Sequence, residues 1–151
     1  MARHPRAKRL QVVLDLAQRA EQAALKSLAH QQQALLAEQQ QKDQLLIYAD
    51  EYQRQLSTPT GSAIQAGQLR NTMGFLQQIE TAIKGQAQQL SLLQQRVEAA
   101  RNEWLRCQGK VKALQSLLDK LDIEYAQEQD RRQQVEADEW SNRMAFQRIK
   151  R

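Results

Sequence analysis

The chain has 151 residues, a length that would ordinarily suggest one globular domain, but its composition favours long helices. Aromatic residues make up only 5%, there are 5 Gly and 2 Pro, and Gln alone occurs 28 times. With so few aromatic side chains, the chain can bury a narrow line of contacts but not a thick core.

Positive charge is concentrated at the two ends of the chain. The net charge is +5, and removing the eight basic residues of the terminal nonapeptides leaves residues 10–142 at −3. These residues are Arg3, Arg6, Lys8, Arg9, Arg143, Arg148, Lys150 and Arg151. Basic ends suit a partner with acidic grooves, whereas nucleic acid is more often bound by a basic stripe along one face.

Several classes of protein are excluded on elementary grounds. A single cysteine rules out an internal disulfide, and the longest apolar runs are far too short to span a membrane. The basic N-terminus is not followed by an apolar stretch of signal-peptide length. We therefore expect a cytoplasmic protein.

The first predicted element is a helix over about residues 6–56. A heptad of apolar residues runs through it, at Leu14, Leu28, Leu35, Ala49 and Leu56, interleaved with Ala17, Ala24, Leu45 and Tyr52. Glu21, Gln31, Glu38 and Lys42 fall on the same line, so this heptad is the weaker of the two. A loop is predicted over 57–66, because Pro59 and Gly61 stop a helix and small polar residues surround them.

The second predicted element is a helix over about residues 67–148, roughly 120 Å long at 1.5 Å per residue. Two apolar series recur in it every seventh position and form the a and d positions of a coiled coil, hereafter the seam. The a series is Leu69, Leu76, Ile83, Leu90, Val97, Trp104, Val111, Leu118 and Tyr125. The d series is Thr72, Ile79, Gln86, Leu93, Ala100, Cys107, Leu114 and Leu121, in which only Thr72 and Gln86 are polar.

Two helices with matching seams and a short loop predict an all-α fold, a long antiparallel coiled-coil hairpin that forms a single rod over residues 1–151. Folding about residue 62 pairs positions whose numbers add up to about 124. The first helix then covers the second only to about residue 118, so 120–148 should extend past it alone. A parallel homodimer is the alternative, although the loop would serve it less well.

Neither a catalytic nor a cofactor or metal site is expected. The chain contains no phosphate-binding Gly-rich motif, and His4 and His30 lie 26 residues apart with no ligand at metal-site spacing. Cys107 occupies a d position, where a buried inert thiol is expected. A helical rod offers no enclosed cleft for acid–base chemistry, so the sequence predicts a protein that is not an enzyme.

Apolar residues that the seam does not need point to a binding surface. Tyr48 and Phe75 each precede a seam residue, and the hairpin places them level with each other. The same spacing brings stripes from both helices to one patch, made of Gln41, Leu45, Tyr48, Tyr52, Phe75, Ile79, Ala82 and Gln86. We interpret it as a docking patch, since exposed aromatic residues are common anchors; the alternative is that these residues thicken the core.

The C-terminal end is a second candidate surface. Trp140 and Met144 lie four residues apart, with Phe146 and Ile149 nearby, among basic residues and beyond the reach of the first helix. Such an unpaired end either frays or binds a partner.

The sequence resembles the FliJ family of the bacterial flagellar type III export apparatus. The resemblance is carried by Leu46–Leu56, the small-residue loop, and Phe75–Ile83, with Tyr-x3-Tyr before the loop and Phe-x3-Ile after it. Together with the length, the two-helix layout and the region of Trp104, it covers essentially the whole chain.

The resemblance implies a non-enzymatic, cytoplasmic stalk like the γ subunit of rotary ATPases, located at the inner membrane at the flagellar base and needing no cofactor. It implies binding to the hexameric export ATPase (FliI-like) and to the linker of the export gate protein (FlhA-like), with an ATPase regulator and export chaperones as further partners. The patch of eight residues given above would bind the gate. From shape and charge, we expect the ATPase to bind the ends, at Arg3, Arg6, Lys8, Arg9, Trp140, Arg143, Met144 and Arg148.

Three alternatives remain at this stage. The chain could be the related stalk of a virulence type III secretion system. It could instead be a basic coiled-coil module that binds nucleic acid or a membrane surface, or a self-assembling structural spacer. We expect no nucleic acid partner and only peripheral association with the membrane.

Overall fold

The computed structural model describes residues 3–57 and 66–149. They form two helices, α1 (Pro5–Ser57) and α2 (Ala66–Ile149), which pack against each other as an antiparallel helical hairpin. The all-α hairpin predicted from the two heptads is confirmed. A loop is predicted over 57–66. Residues 58–65 lie outside the described residues, and Ser57 and Ala66 are the last residue of α1 and the first of α2.

The start of α1 is defined by its first two residues. Pro5 is the first helical residue, where its missing N–H would have no partner in the helix anyway. His4 caps the helix, since its Nδ1 accepts a hydrogen bond of 3.0 Å from the backbone N–H of Arg6. The backbone N–H of Lys8 donates to the carbonyl oxygen of His4 at 3.1 Å, which closes the first turn.

Contacts divide the chain into two units, each built from a part of both helices. The terminal unit comprises Met1–Gln22 and Leu105–Arg151, and the inner unit comprises Ala23–Trp104. The core of the terminal unit consists of Ala7, Leu14, Ala17, Val111 and Leu118, with Leu10 and Leu114 packed against it. The buried residues of the inner unit are Leu28, Leu90, Leu93 and Val97. That the chain forms a single rod stays a prediction.

The seam of α2 is the buried side of that helix. From Thr72 to Tyr125, every a and d position is buried or half-buried, and only Leu69, 40% exposed, departs from the pattern. The weaker heptad of α1 behaves in the same way, because its polar members Glu21, Gln31, Glu38 and Lys42 are all half-buried. Position in the heptad therefore decides burial in both helices, even where the residue is polar.

The prediction that 120–148 of α2 extends alone is wrong for about its first two turns. The rings of His4 and Tyr125 meet edge to face, with centroids 5.7 Å apart, and Arg3 reaches Asp122. The prediction failed because it counted from the first helical residues, whereas the two residues before α1 also pack on α2. Every side chain from Asp130 to Ile149 is exposed.

Arg3 forms a two-pronged ion pair with Asp122 in the terminal unit. Its Nε and Nη2 donate to Oδ1 and Oδ2 of Asp122 at 3.2 and 2.9 Å, and its Nη1 donates to Oε1 of Gln11 at 3.1 Å. The hydrogen bonds from Arg3 hold the pKa of Asp122 below its usual range, and the same contact raises the pKa of Arg3. The guanidinium thus joins the start of α1 to the middle of α2.

Burial of Leu118 should dominate the stability of the terminal unit. Leu118 is 2% exposed and its neighbour Leu117 is 40% exposed, so the two form a matched pair. We expect Leu118→Ala to lower the free energy of unfolding by about 2–3 kcal/mol and Leu117→Ala by less than about 1 kcal/mol. Urea unfolding followed by circular dichroism would measure both, and equal losses would contradict the assigned seam.

The ion pair of Arg3 should be visible in the titration of Asp122. Because the pKa of Asp122 is lowered in the fold, the contact stabilises the folded chain above the carboxyl's unfolded pKa and is lost as pH falls through the folded pKa. In Arg3→Gln, the titration midpoint of Asp122 measured by NMR should rise towards its ordinary value. Arg19→Gln, at an exposed site of α1, is the control, and an unchanged midpoint in Arg3→Gln would refute the contact.

Candidate functional site

The predicted docking patch lies entirely within the inner unit, and its eight residues divide evenly by exposure. Gln41, Tyr48, Phe75 and Ala82 are exposed, while Leu45, Tyr52, Ile79 and Gln86 are half-buried. The reason is their place in the heptad. The half-buried residues occupy d positions of the two helices, and each exposed residue occupies a position directly before an a residue.

Two aromatic rings join the helices at this patch. The rings of Tyr52 and Phe75 are stacked, with centroids 6.3 Å apart and planes inclined by 23°. The sequence places Tyr48 level with Phe75, whereas the ring contact of Phe75 is with Tyr52, one turn further along α1. Tyr52 is on the seam and so faces α2, which explains why it meets the ring.

Stacking leaves much of the aromatic surface open to solvent. Phe75 remains 55% exposed and Tyr48 is 44% exposed. The d residues therefore pack between the helices, as the core interpretation expects, and the flanking aromatic residues present apolar surface; docking of a partner on that surface stays a prediction. None of the eight residues carries a charge, so the patch suits an uncharged, apolar part of a partner.

A polar cluster closes the other end of the patch. The Nε2 of Gln86 donates to Oε2 of Glu38 at 3.0 Å, to the backbone oxygen of Glu38 at 3.3 Å and to Oε1 of Gln41 at 3.2 Å. The Oε1 of Gln86 is buried and has no hydrogen-bond partner among the residues that the structure describes. These bonds connect the helices directly across the d positions.

Glu38 is the residue near this site that sequence reasoning missed. In the sequence, Glu38 is a polar interruption of the α1 heptad; in the structure, its carboxylate accepts a hydrogen bond from the amide of Gln86. A signal was present in the sequence, because the numbers of Glu38 and Gln86 add up to the pairing value of 124. Two polar residues that meet on a coiled-coil seam commonly fix the register of the helices.

The basic residues at the N-terminal end divide into two groups. Arg6, Lys8 and Arg9 are exposed, whereas the charge of Arg3 is offset by Asp122. The first turn of α1 contains no acidic residue, so these cations add to the positive end of the helix dipole. This end of the chain therefore attracts anionic groups, with Arg3 the least available of the four predicted residues.

The C-terminal residues predicted to bind a partner are all exposed. Trp140 is 64% exposed and Met144 is 40% exposed, and Arg143 and Arg148 also face solvent. Val135, Phe146 and Ile149 add apolar surface on the same part of α2, at 55%, 60% and 82% exposure. Lys150 and Arg151, which contribute to the predicted basic end, lie outside the described residues.

The described residues show no cluster of side chains typical of a metal site. Residues 3–57 and 66–149 contain no group of three or more His, Cys, Asp or Glu side chains that could hold a metal ion. Cys107 is buried at 6% exposure, as its seam position predicted. Over the same ranges, neither helix holds a segment long and apolar enough to cross a membrane.

Comparison with known proteins assigns the family. The family model described as "Flagellar FliJ protein" matches residues 6–150. The flagellar FliJ protein of Salmonella typhi is 27% identical over 137 residues, which cover 91% of this chain and 93% of the relative. The flagellar FliJ protein of Escherichia coli strain K12 is 26% identical over the same shares of the two chains. The chain therefore belongs to the flagellar FliJ protein family.

Proposed function

We propose that this chain is a non-enzymatic component of the flagellar type III protein export apparatus, which binds the export gate through the patch and the hexameric export ATPase through its basic ends. Family membership supports the flagellar role. The assignment of each surface to a partner rests on the exposure, charge and position of the residues, together with the family resemblance.

The exposed aromatic pair is the observation that carries the gate-binding assignment. Phe75 is held from one side by the ring of Tyr52 and remains 55% exposed, and Tyr48 is exposed nearby on α1. A ring that is already fixed by a neighbour loses little conformational freedom when a partner covers it. Aromatic side chains of this kind are frequent hot spots at protein interfaces.

The ends suit a different kind of partner. Arg6, Lys8 and Arg9 on α1, together with Arg143 and Arg148 on α2, are exposed cations that a ring of acidic grooves would attract. Trp140 supplies an exposed ring that could anchor such a contact once charge has brought the partners together. Both ends belong to the terminal unit, and the patch belongs to the inner unit.

The patch and the ends belong to different units of the same two helices, which supports a coupling role. The helices that carry the patch also carry the ends, and close packing along the seam limits internal slack. In this proposal, ATP turnover by the export ATPase biases the state of the gate through the protein that binds both. The protein transmits the effect without chemistry of its own, at the cytoplasmic face of the membrane at the flagellar base.

Removal of the exposed aromatic pair should abolish gate binding. In Tyr48→Ala/Phe75→Ala, the seam residues are intact, so helicity measured by circular dichroism should be unchanged. Binding to the cytoplasmic part of the export gate protein, including its linker, should fall at least tenfold by calorimetry.

Leu36→Ala/Leu92→Ala is a matched control for that experiment, because Leu36 and Leu92 are exposed apolar residues of the same unit, at 55% and 42%. The control should bind the gate as the unmodified chain does. If the aromatic variant also binds normally, the patch is not the gate-binding surface.

Loss of the C-terminal end should lower the affinity for the export ATPase and make that affinity less dependent on salt. We expect deletion of residues 140–151 to reduce affinity for the export ATPase, and Arg143→Gln/Arg148→Gln to flatten the fall of affinity with ionic strength. Arg96→Gln/Arg101→Gln removes two exposed arginines of the inner unit and serves as the charge control.

Unchanged affinity and unchanged salt dependence in both C-terminal variants would disprove docking through this end. Tight binding of the unmodified chain to duplex DNA or to anionic vesicles at physiological salt, in place of the ATPase, would favour a nucleic-acid or membrane module.

A further inference from the structure

Five consecutive apolar residues, Leu45–Ala49, occupy successive positions around α1, and two of them, Leu45 and Tyr48, belong to the patch. The seam uses the first and last of them, which are half-buried. The three between them remain exposed, with Leu46 at 46%, Ile47 at 52% and Tyr48 at 44%. Three consecutive large apolar residues on a solvent-facing surface are unfavourable unless a partner covers them.

The three exposed residues point in different directions around α1. At about 100° per residue, Ile47 lies roughly opposite the middle of the seam, with Leu46 on one flank and Tyr48 on the other. The patch accounts for Tyr48 alone. Packing between the two helices requires neither Leu46 nor Ile47, so the exposed apolar surface continues from the patch onto the outer face of α1.

Acidic residues border this outer face. Asp43 and Glu51 lie one turn before and one turn after Ile47 on the same side of the helix, and both are exposed. Asp50 forms an ion pair with Arg54, in which the Nη2 of Arg54 lies 3.0 Å from the Oδ2 of Asp50. Lys42, a further cation on this part of α1, is half-buried on the seam. A carboxylate therefore stands at each end of an aliphatic ridge.

We propose that Leu46 and Ile47, flanked by Asp43 and Glu51, form a ridge that extends the patch and binds an amphipathic segment of the same partner. The segment carries aliphatic side chains that cover the ridge and a Lys or Arg near each carboxylate. The inference rests on the proposed function in one respect, that the partner of the patch is the export gate. The aliphatic residues supply contact area, and the carboxylates select a basic segment over an acidic one.

The apolar part of the ridge is tested by Leu46→Ser/Ile47→Ser. Val12→Ser/Val13→Ser is the matched control, because Val12 and Val13 are consecutive exposed residues of α1, at 60% and 42%, outside the inner unit. With the cytoplasmic part of the export gate protein as probe, the ridge variant should bind about tenfold more weakly and the control should bind normally.

The acidic border is tested by charge reversal. Asp43→Lys/Glu51→Lys should slow association with the same probe at low salt, and the difference should shrink as salt is added. Glu98→Lys/Glu124→Lys makes the same change of net charge at exposed sites of α2 and should leave association unchanged.

The outcomes separate this inference from the proposed function. If Tyr48→Ala/Phe75→Ala loses gate binding while both ridge variants bind normally, the ridge is wrong and the proposed function stands. If the unmodified chain does not bind the gate, the proposed function fails. The ridge is then tested with two synthetic amphipathic peptides that share the same aliphatic residues, one with lysines and one with glutamates at the charged positions. The peptide with lysines should bind the full chain, and this binding should be lost in Leu46→Ser/Ile47→Ser. The inference is overturned if either result fails, or if the peptide with glutamates binds equally well.

Discussion

Packing along one line of side chains on each helix is the constraint on which the rest of this structure depends. Among the described residues, ten apolar side chains are buried, and the most buried large one, Leu118, is still 2% exposed. Two helices alone cannot enclose an interior from which water is excluded. The buried seam residues are therefore taken up by packing, and the exposed residues that flank the seam are the ones available for contact with a partner.

This constraint makes small displacements around a helix decisive for whether a side chain packs or is exposed. Tyr52 and Tyr48 differ by one turn along α1, yet the first stacks on Phe75 between the helices and the second faces solvent. Glu38 and Gln86, two polar residues that a thick core would exclude, meet across the seam at 3.0 Å. Because partly exposed polar groups are tolerated in so thin a core, they can fix which residues face each other and so assemble a patch from two helices.

The seven-residue repeat predicted the fold, because burial in a two-helix structure follows position more closely than residue type. Glu21 and Lys42 are half-buried for that reason alone. The same repeat did not reveal that Arg3 and His4 pack on α2, since their contacts are an ion pair and a ring edge rather than an apolar period. It placed Tyr48 beside Phe75 but could not give the stacking of Tyr52, which depends on side-chain direction. The heptad predicts which residues of these surfaces are exposed, but exposure does not identify a partner, so the partner of each surface stays a proposal.

His4 and Pro5 define the first turn of α1, and His4 also contacts Tyr125 of α2. In an antiparallel pair, the residue at which one helix begins decides how much of the other helix is left uncovered. The stretch from Asp130 to Ile149, which carries Trp140, is exposed and follows the contact of His4 with Tyr125. Beyond these N-terminal contacts, the described part of α2 presents its full circumference to solvent, so a partner could approach it from any side.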